Sequence, residues 1–100
     1  MQAFVKNGIT IPGSVSTVSF DNWFQYVEII NRGTSEIWVR ADGEDPVAEG
    51  DNSIVIPGNS WLQVRNRSAR PTLFNTFPNV TVIKIFSVAA VPYSACGEGS

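Results

Sequence analysis

One hundred residues, 43% of them hydrophobic and 16% charged, make a single domain with a small core, and a chain of this size buries roughly two-thirds of its unfolded surface. The apolar fraction and a net charge of −2 exclude intrinsic disorder and leave no electrostatic footprint for nucleic acid or an anionic membrane. Zero histidines and one cysteine remove the commonest general base and metal ligand and preclude an intrachain disulfide.

In chain order, residues 3–6 read as a short strand ended by Asn7-Gly8, a dipeptide suited to a tight turn. Residues 9–11 form a second extended piece before the Pro12-Gly13 turn. Val15, Thr17 and Ser19 then alternate with Ser16, Val18 and Phe20, which predicts a half-buried strand. Residues 23–31 are apolar on both faces and predict a central strand. A hairpin at 31–35, with Gly33 free to take positive φ, leads into a strand over 36–41. There Ile37 and Val39 face the core, and Trp38 lies on the wetter side over partly exposed surface. Residues 42–52 are an acidic solvent loop. Short strands follow at 53–56 and 60–65, with Pro57-Gly58 between them. Residues 66–79 carry no clean period and make a long irregular loop. A long strand over 80–88 and a short one over 91–95 complete the core, and 97–100 reads as a frayed tail.

About eight short strands and no sustained helical period imply an all-β fold: an antiparallel β-sandwich, jelly-roll-like or Ig-like, with a small β-barrel as the alternative. The domain is expected over residues 1–96 and the tail over 97–100. The start of the chain lacks the charged and apolar pattern of a secretory signal. No apolar run reaches the roughly 18 residues of a membrane-spanning helix, so a soluble protein with no membrane partner is expected. Without a secretory route, the acceptor patterns at Asn66 and Asn79 carry no weight.

Chemistry-bearing clusters are sparse. Asp42, Glu44, Asp45, Glu49 and Asp51 have the oxygen density of a calcium site but not the spacing of the twelve-residue calcium loop. A solvated turn in which Asp42 and Asp45 cap backbone amides explains them better, so no metal and no cofactor are expected. Glu28 and Glu36 would face each other across the hairpin only as like charges, and Glu28 is better paired with Arg40 or another cation. Cys96 has no histidine to activate it and reads as a buried or incidental thiol. The chain is therefore not expected to be an enzyme.

Arg65, Arg67 and Arg70 stand near Trp61, Phe74 and Phe77. Arginine interleaved with aromatics suits a protein interface, and the acidic whole argues against nucleic acid. With Trp38, these are the candidate interface residues. Exposed tryptophan beside an acidic loop also fits a carbohydrate- or host-binding module.

The stretch from Val27 to Asn59 carries Asn31-Arg32-Gly33-Thr34, then Asp42-Gly43-Glu44-Asp45-Pro46, then Val55-Ile56-Pro57-Gly58, and Thr81-Val82-Ile83-Lys84-Ile85-Phe86-Ser87 follows later. This pattern resembles small β-rich structural proteins of tailed bacteriophages, most of all head decoration (cement) proteins. The irregular 66–79 segment departs from it and is a candidate for capsid or self contact. The resemblance implies a non-enzymatic virion protein that is synthesised in the host cytoplasm, binds the major capsid protein on the outer capsid surface and stabilises the shell. It further implies a homo-oligomer, with a trimer favoured. A minor tail component is the alternative within the same class.

Overall fold

A computed structural model of the chain describes residues 4–68 and 80–98. Eight strands follow one another: β1 (Phe4–Ile9), β2 (Val15–Phe20), β3 (Tyr26–Asn31), β4 (Ile37–Arg40), β5 (Ile54–Ile56), β6 (Trp61–Arg65), β7 (Thr81–Phe86) and β8 (Pro92–Glu98). They form two four-stranded sheets, ordered β1-β8-β3-β6 and β2-β7-β4-β5, with every pairing antiparallel. β1 pairs with β8, β2 with β7, β3 with β6 and β4 with β5. The chain thus folds as one long doubled-back ribbon rolled so that β8 also meets β3 and β7 also meets β4. That winding is a jelly-roll sandwich, which sets aside both the Ig-like order and the closed barrel.

The period-2 pattern decides what each sheet buries. From the first sheet Val27, Ile29, Val64, Tyr93 and Ala95 face inward; from the second Val18, Phe20, Ile37, Val39, Ile83 and Ile85 do. The Phe20 and Phe24 rings meet edge to face at 5.6 Å within this core. Strands β3 and β7 are central, as their two-sided apolar sequences predict.

Buried polar side chains hold the rolled chain closed. Asn31, 1% exposed, donates from Nδ2 to the carbonyls of Ser35 (2.8 Å) and Ile56 (3.0 Å) and accepts from the Gly33 amide (2.9 Å). It ties the end of β3 in one sheet to β5 in the other. Thr10 and Ser87 share a hydroxyl contact, and Thr10 Oγ1 accepts the Val91 amide at 2.9 Å. Thr81 Oγ1 accepts the Phe24 amide and donates to the Asn22 carbonyl, and Asn66 Nδ2 donates to the Phe24 carbonyl. Each of these groups would otherwise be a buried donor or acceptor without water.

Several expectations are corrected by this topology. The 31–35 segment is not a hairpin: β3 and β4 lie in different sheets, so the turn crosses the sandwich. Glu28 consequently faces neither Glu36 nor Arg40, and Arg40 pairs with Asp42 instead. Asn7-Gly8 is not a turn but part of β1, and the 9–11 piece is no separate strand. Gly97 and Glu98 are not tail but the last residues of β8. Of the 66–79 loop, 69–79 lies outside the described residues.

Candidate functional site

Two surfaces gather the chemistry-bearing side chains. The first is the outward face of the β1-β8-β3-β6 sheet. Strand register puts Asn7, Ser94, Ile30 and Trp61 in one row across it, Val5, Cys96, Glu28 and Gln63 in the next, and Glu98, Tyr26 and Arg65 in a third. Alternation along the central strands sends Val27, Ile29, Tyr93 and Ala95 into the core, so the opposite face is left to solvent. Trp61 is 63% exposed on it, and Ile9 and Val5 stand out at 66% and 56%. Trp61 and Arg65 lie four residues apart on the same side of β6, about 13 Å along the strand.

The second is a cleft of about 470 Å³ at the edge of the sandwich where β5 and β6 border different sheets. Arg40, Asp42, Asn52, Ser53, Arg65 and Arg67 supply its polar lining, with Ile54, Val64 and Ala41 below. The segment after β6 is stitched to both sheets. The Asn66 amide donates to the Gln25 carbonyl and the Arg67 amide to the Ala41 carbonyl, both at 2.9 Å. Those bonds set the two arginines beside the end of β4.

Arg40 grips Asp42 in a forked ion pair, Nε to Oδ1 at 3.0 Å and Nη2 to Oδ2 at 2.5 Å. Asp42 Oδ1 also accepts the Glu44 amide at 3.1 Å, the capping expected of it. The Arg40 guanidinium, helped by that amide, holds the Asp42 carboxyl below the ordinary carboxylate range, and Asp42 in turn raises Arg40. Because the Asp42 value is lowered on folding, its contribution is present above the ordinary carboxylate range and fades as pH falls through the folded value. Solvent screening keeps that contribution small. Asp45, expected as a cap, pairs with Lys84 Nζ at 3.0 Å. No group of three carboxylate or thiol side chains among the described residues is placed to hold a metal ion.

Of the residues singled out in sequence, Trp61 is exposed on the open sheet face and Arg65 and Arg67 meet in the cleft. Trp38 is corrected: it is 6% exposed, its ring 6.4 Å from that of Phe86 across the β4–β7 pairing, and it offers no contact surface. Arg70, Phe74 and Phe77 lie outside the described residues. The sequence reading missed Arg40, Asn52 and Ser53 as cleft residues; the only local signal was the Arg40-x-Asp42 spacing that makes the fork. A second cleft of about 450 Å³ at the other end of β4, lined by Thr34, Ser35, Glu36, Pro57, Gly58 and Val88, gathers no comparable charge.

Cys96 is half-buried in the open sheet face. Burial foremost, then the Glu98 and Glu28 carboxylates, push its thiol above the ordinary range, so it stays protonated and unreactive at neutral pH. Iodoacetamide at pH 7.5 is expected to alkylate the native protein at least several-fold more slowly than the urea-unfolded chain. Equal rates would show the thiol to be unprotected.

No family model, no curated protein and no solved structure matches the chain.

Proposed function

We propose that the protein is a non-enzymatic virion component of a tailed bacteriophage, a decoration protein that binds the major capsid protein on the outer capsid surface, as a homo-oligomer, and stabilises the shell. The observation that carries this reading is Trp61, which stands 63% exposed in the same outward row as Ile30, on a strand that ends in Arg65. A large aromatic left in water, with an arginine farther along the same side of the strand, has the make-up of an interface anchor. The jelly roll is also an architecture that viral capsid domains use, although lectins use it too. The mechanism is linkage: a protein that binds only the assembled shell shifts the equilibrium toward it.

Quantitative mass spectrometry of purified particles tests the reading. Copies in a fixed, high ratio to the shell subunit support it. A few copies per particle move the protein to the tail, and none removes it from the virion. Trp61→Ala is expected to weaken attachment by tenfold or more while changing stability by no more than about 0.5 kcal/mol, as for most exposed sites. Unchanged attachment would take Trp61 out of the interface. The same exposed indole is what a sugar-stacking site would use, so glycan binding by particle-free protein, lost in Trp61→Ala, would favour the lectin-like reading instead.

A further inference from the structure

The arginine cleft and the acidic loop that runs into it carry charge of both signs without an ion pair among the described residues. Arg65 and Arg67 line the cleft, yet neither has a carboxylate at ion-pair distance among the described residues, and Asp42 beside them is already held by Arg40. The opposite wall is formed by Asn52 and Ser53, the end of the acidic loop. In that loop Glu44, Glu49 and Asp51 likewise have no cation at ion-pair distance among the described residues, although Glu44 acts on Arg40 from farther off.

The loop is not free to fold back onto the arginines. The Val47 amide donates to Ser53 Oγ at 3.1 Å, the Gly50 amide donates to the Val47 carbonyl at 2.9 Å, and Lys84 holds Asp45. Positive φ at Glu49 (57°) and Asn52 (63°) completes its tight path. Two cations thus line the cleft, and three carboxylates stand on the loop that runs into its opposite wall. Exposed Val47, Ile54, Val55 and Leu62 lie on the same loop and edge strands.

We propose that this cleft and loop form a self-recognition surface: the acidic loop of one copy seats its unpaired carboxylates in the arginine cleft of a second copy. Each copy carries both halves of the contact, so it can be returned across a two-fold axis or passed on around a closed ring. Charge supplies orientation and specificity, and the exposed aliphatic side chains supply area to cover. The loop is already fixed, so little ordering is needed when it docks. An acidic ligand of another kind is less well matched, because the complementary carboxylates are built into the chain itself. The contact provides the self-association included in the virion reading without depending on it: it stands or falls on purified protein, whereas that reading stands or falls on particle composition.

Sedimentation velocity of the purified full chain tests it. The wild type is expected to sediment as an oligomer at low salt and to shift to monomer as salt rises. Arg65→Glu/Arg67→Glu and Glu44→Lys/Asp51→Lys, all at exposed positions, are each expected to be monomeric at low salt, with unchanged far-ultraviolet circular dichroism. Glu49 is left in place because its positive φ would mix backbone strain into the result. Mixing the two variants in equal amounts restores a basic cleft for an acidic loop and an acidic cleft for a basic loop, and is expected to recover the oligomer. A wild type that is monomeric at every salt concentration would overturn the proposal. So would oligomers that survive in either variant, or two monomeric variants that fail to associate on mixing.

Discussion

Replacing Asn31 by Leu is expected to lower the unfolding free energy by about 3 kcal/mol, from one buried and two part-buried hydrogen bonds whose groups cost roughly 1–3 kcal/mol each when left unmade, with partial relaxation. The two side chains share the same branched heavy-atom skeleton and the leucine methyls are the bulkier ends, so the change leaves no cavity. What it removes is the amide that donates to the Ser35 and Ile56 carbonyls and accepts from the Gly33 amide. Those groups then lose this partner at a site where the parent side chain is only 1% exposed. A domain of this size has about 5–15 kcal/mol in total, so the variant should unfold at markedly lower urea in a denaturant titration. Asn31→Asp makes the comparison sharper: it keeps the acceptor for Gly33 but points a carboxylate at two carbonyls. That carboxyl has its folded value raised, so the protonated form is the one the fold tolerates. The variant should regain stability as pH falls through that raised value, with the gain complete once pH is below the ordinary carboxylate range. A loss below about 1 kcal/mol for Asn31→Leu would show that this amide does not hold the two sheets together.

The second large effect is expected at Gly97. This residue is buried in β8, on the inner face opposite Val27. A Cβ built there falls on the Phe24 ring, 2.6 Å from Cε2 and 2.8 Å from Cγ. Phe24 cannot retreat freely, because its ring is edge-on to Phe20 and its backbone is held by Thr81 and Asn66. Gly97→Ala is therefore expected to cost about 2–3 kcal/mol by overpacking, a fall of roughly 10–20 °C in melting temperature for a domain of this length. A double-mutant cycle identifies the cause. Phe24→Ala alone costs about 3–5 kcal/mol, and adding Gly97→Ala to it should cost much less than in the parent, since the ring that is struck has gone. Strict additivity would mean that the ring contact is not the reason for the glycine.

Local alternation was enough to place much of this architecture. β2 runs over the residues its period predicts, and the two strands apolar on both faces are the two central partners of β8 and β4. What alternation does not encode is which sheet a strand joins. A short polar turn with a glycine serves a hairpin or a crossing between sheets equally well, and here the choice is made by Asn31, whose partners lie as far away as Ile56. Gly8 misled for a related reason: it is a strand residue kept small because the Tyr93 ring lies over it, 2.8 Å from where its Cβ would be. The face of Trp38 was legible, but its burial was not, because the neighbouring Phe86 comes from a strand far along the chain. Arg65 and Arg67 could be paired by their closeness in sequence. Arg40 is brought to them by a contact distant in sequence, the bond from the Arg67 amide to the Ala41 carbonyl.

The rolled ribbon also sets the order in which the molecule can assemble. β1 has a single neighbour in its sheet, β8, with Phe4 opposite Gly97 and Ile9 opposite Pro92. At synthesis rates of about 5–20 residues per second, the first strand waits roughly 5–20 seconds for its partner to be made. During that wait β3 also lacks its central neighbour, and among the described strands only the β4–β5 pair joins neighbours in sequence. The β1-β8-β3-β6 sheet thus closes only after the last strand leaves the ribosome, and the nascent chain depends on the β4–β5 tip to seed the roll from its middle outward.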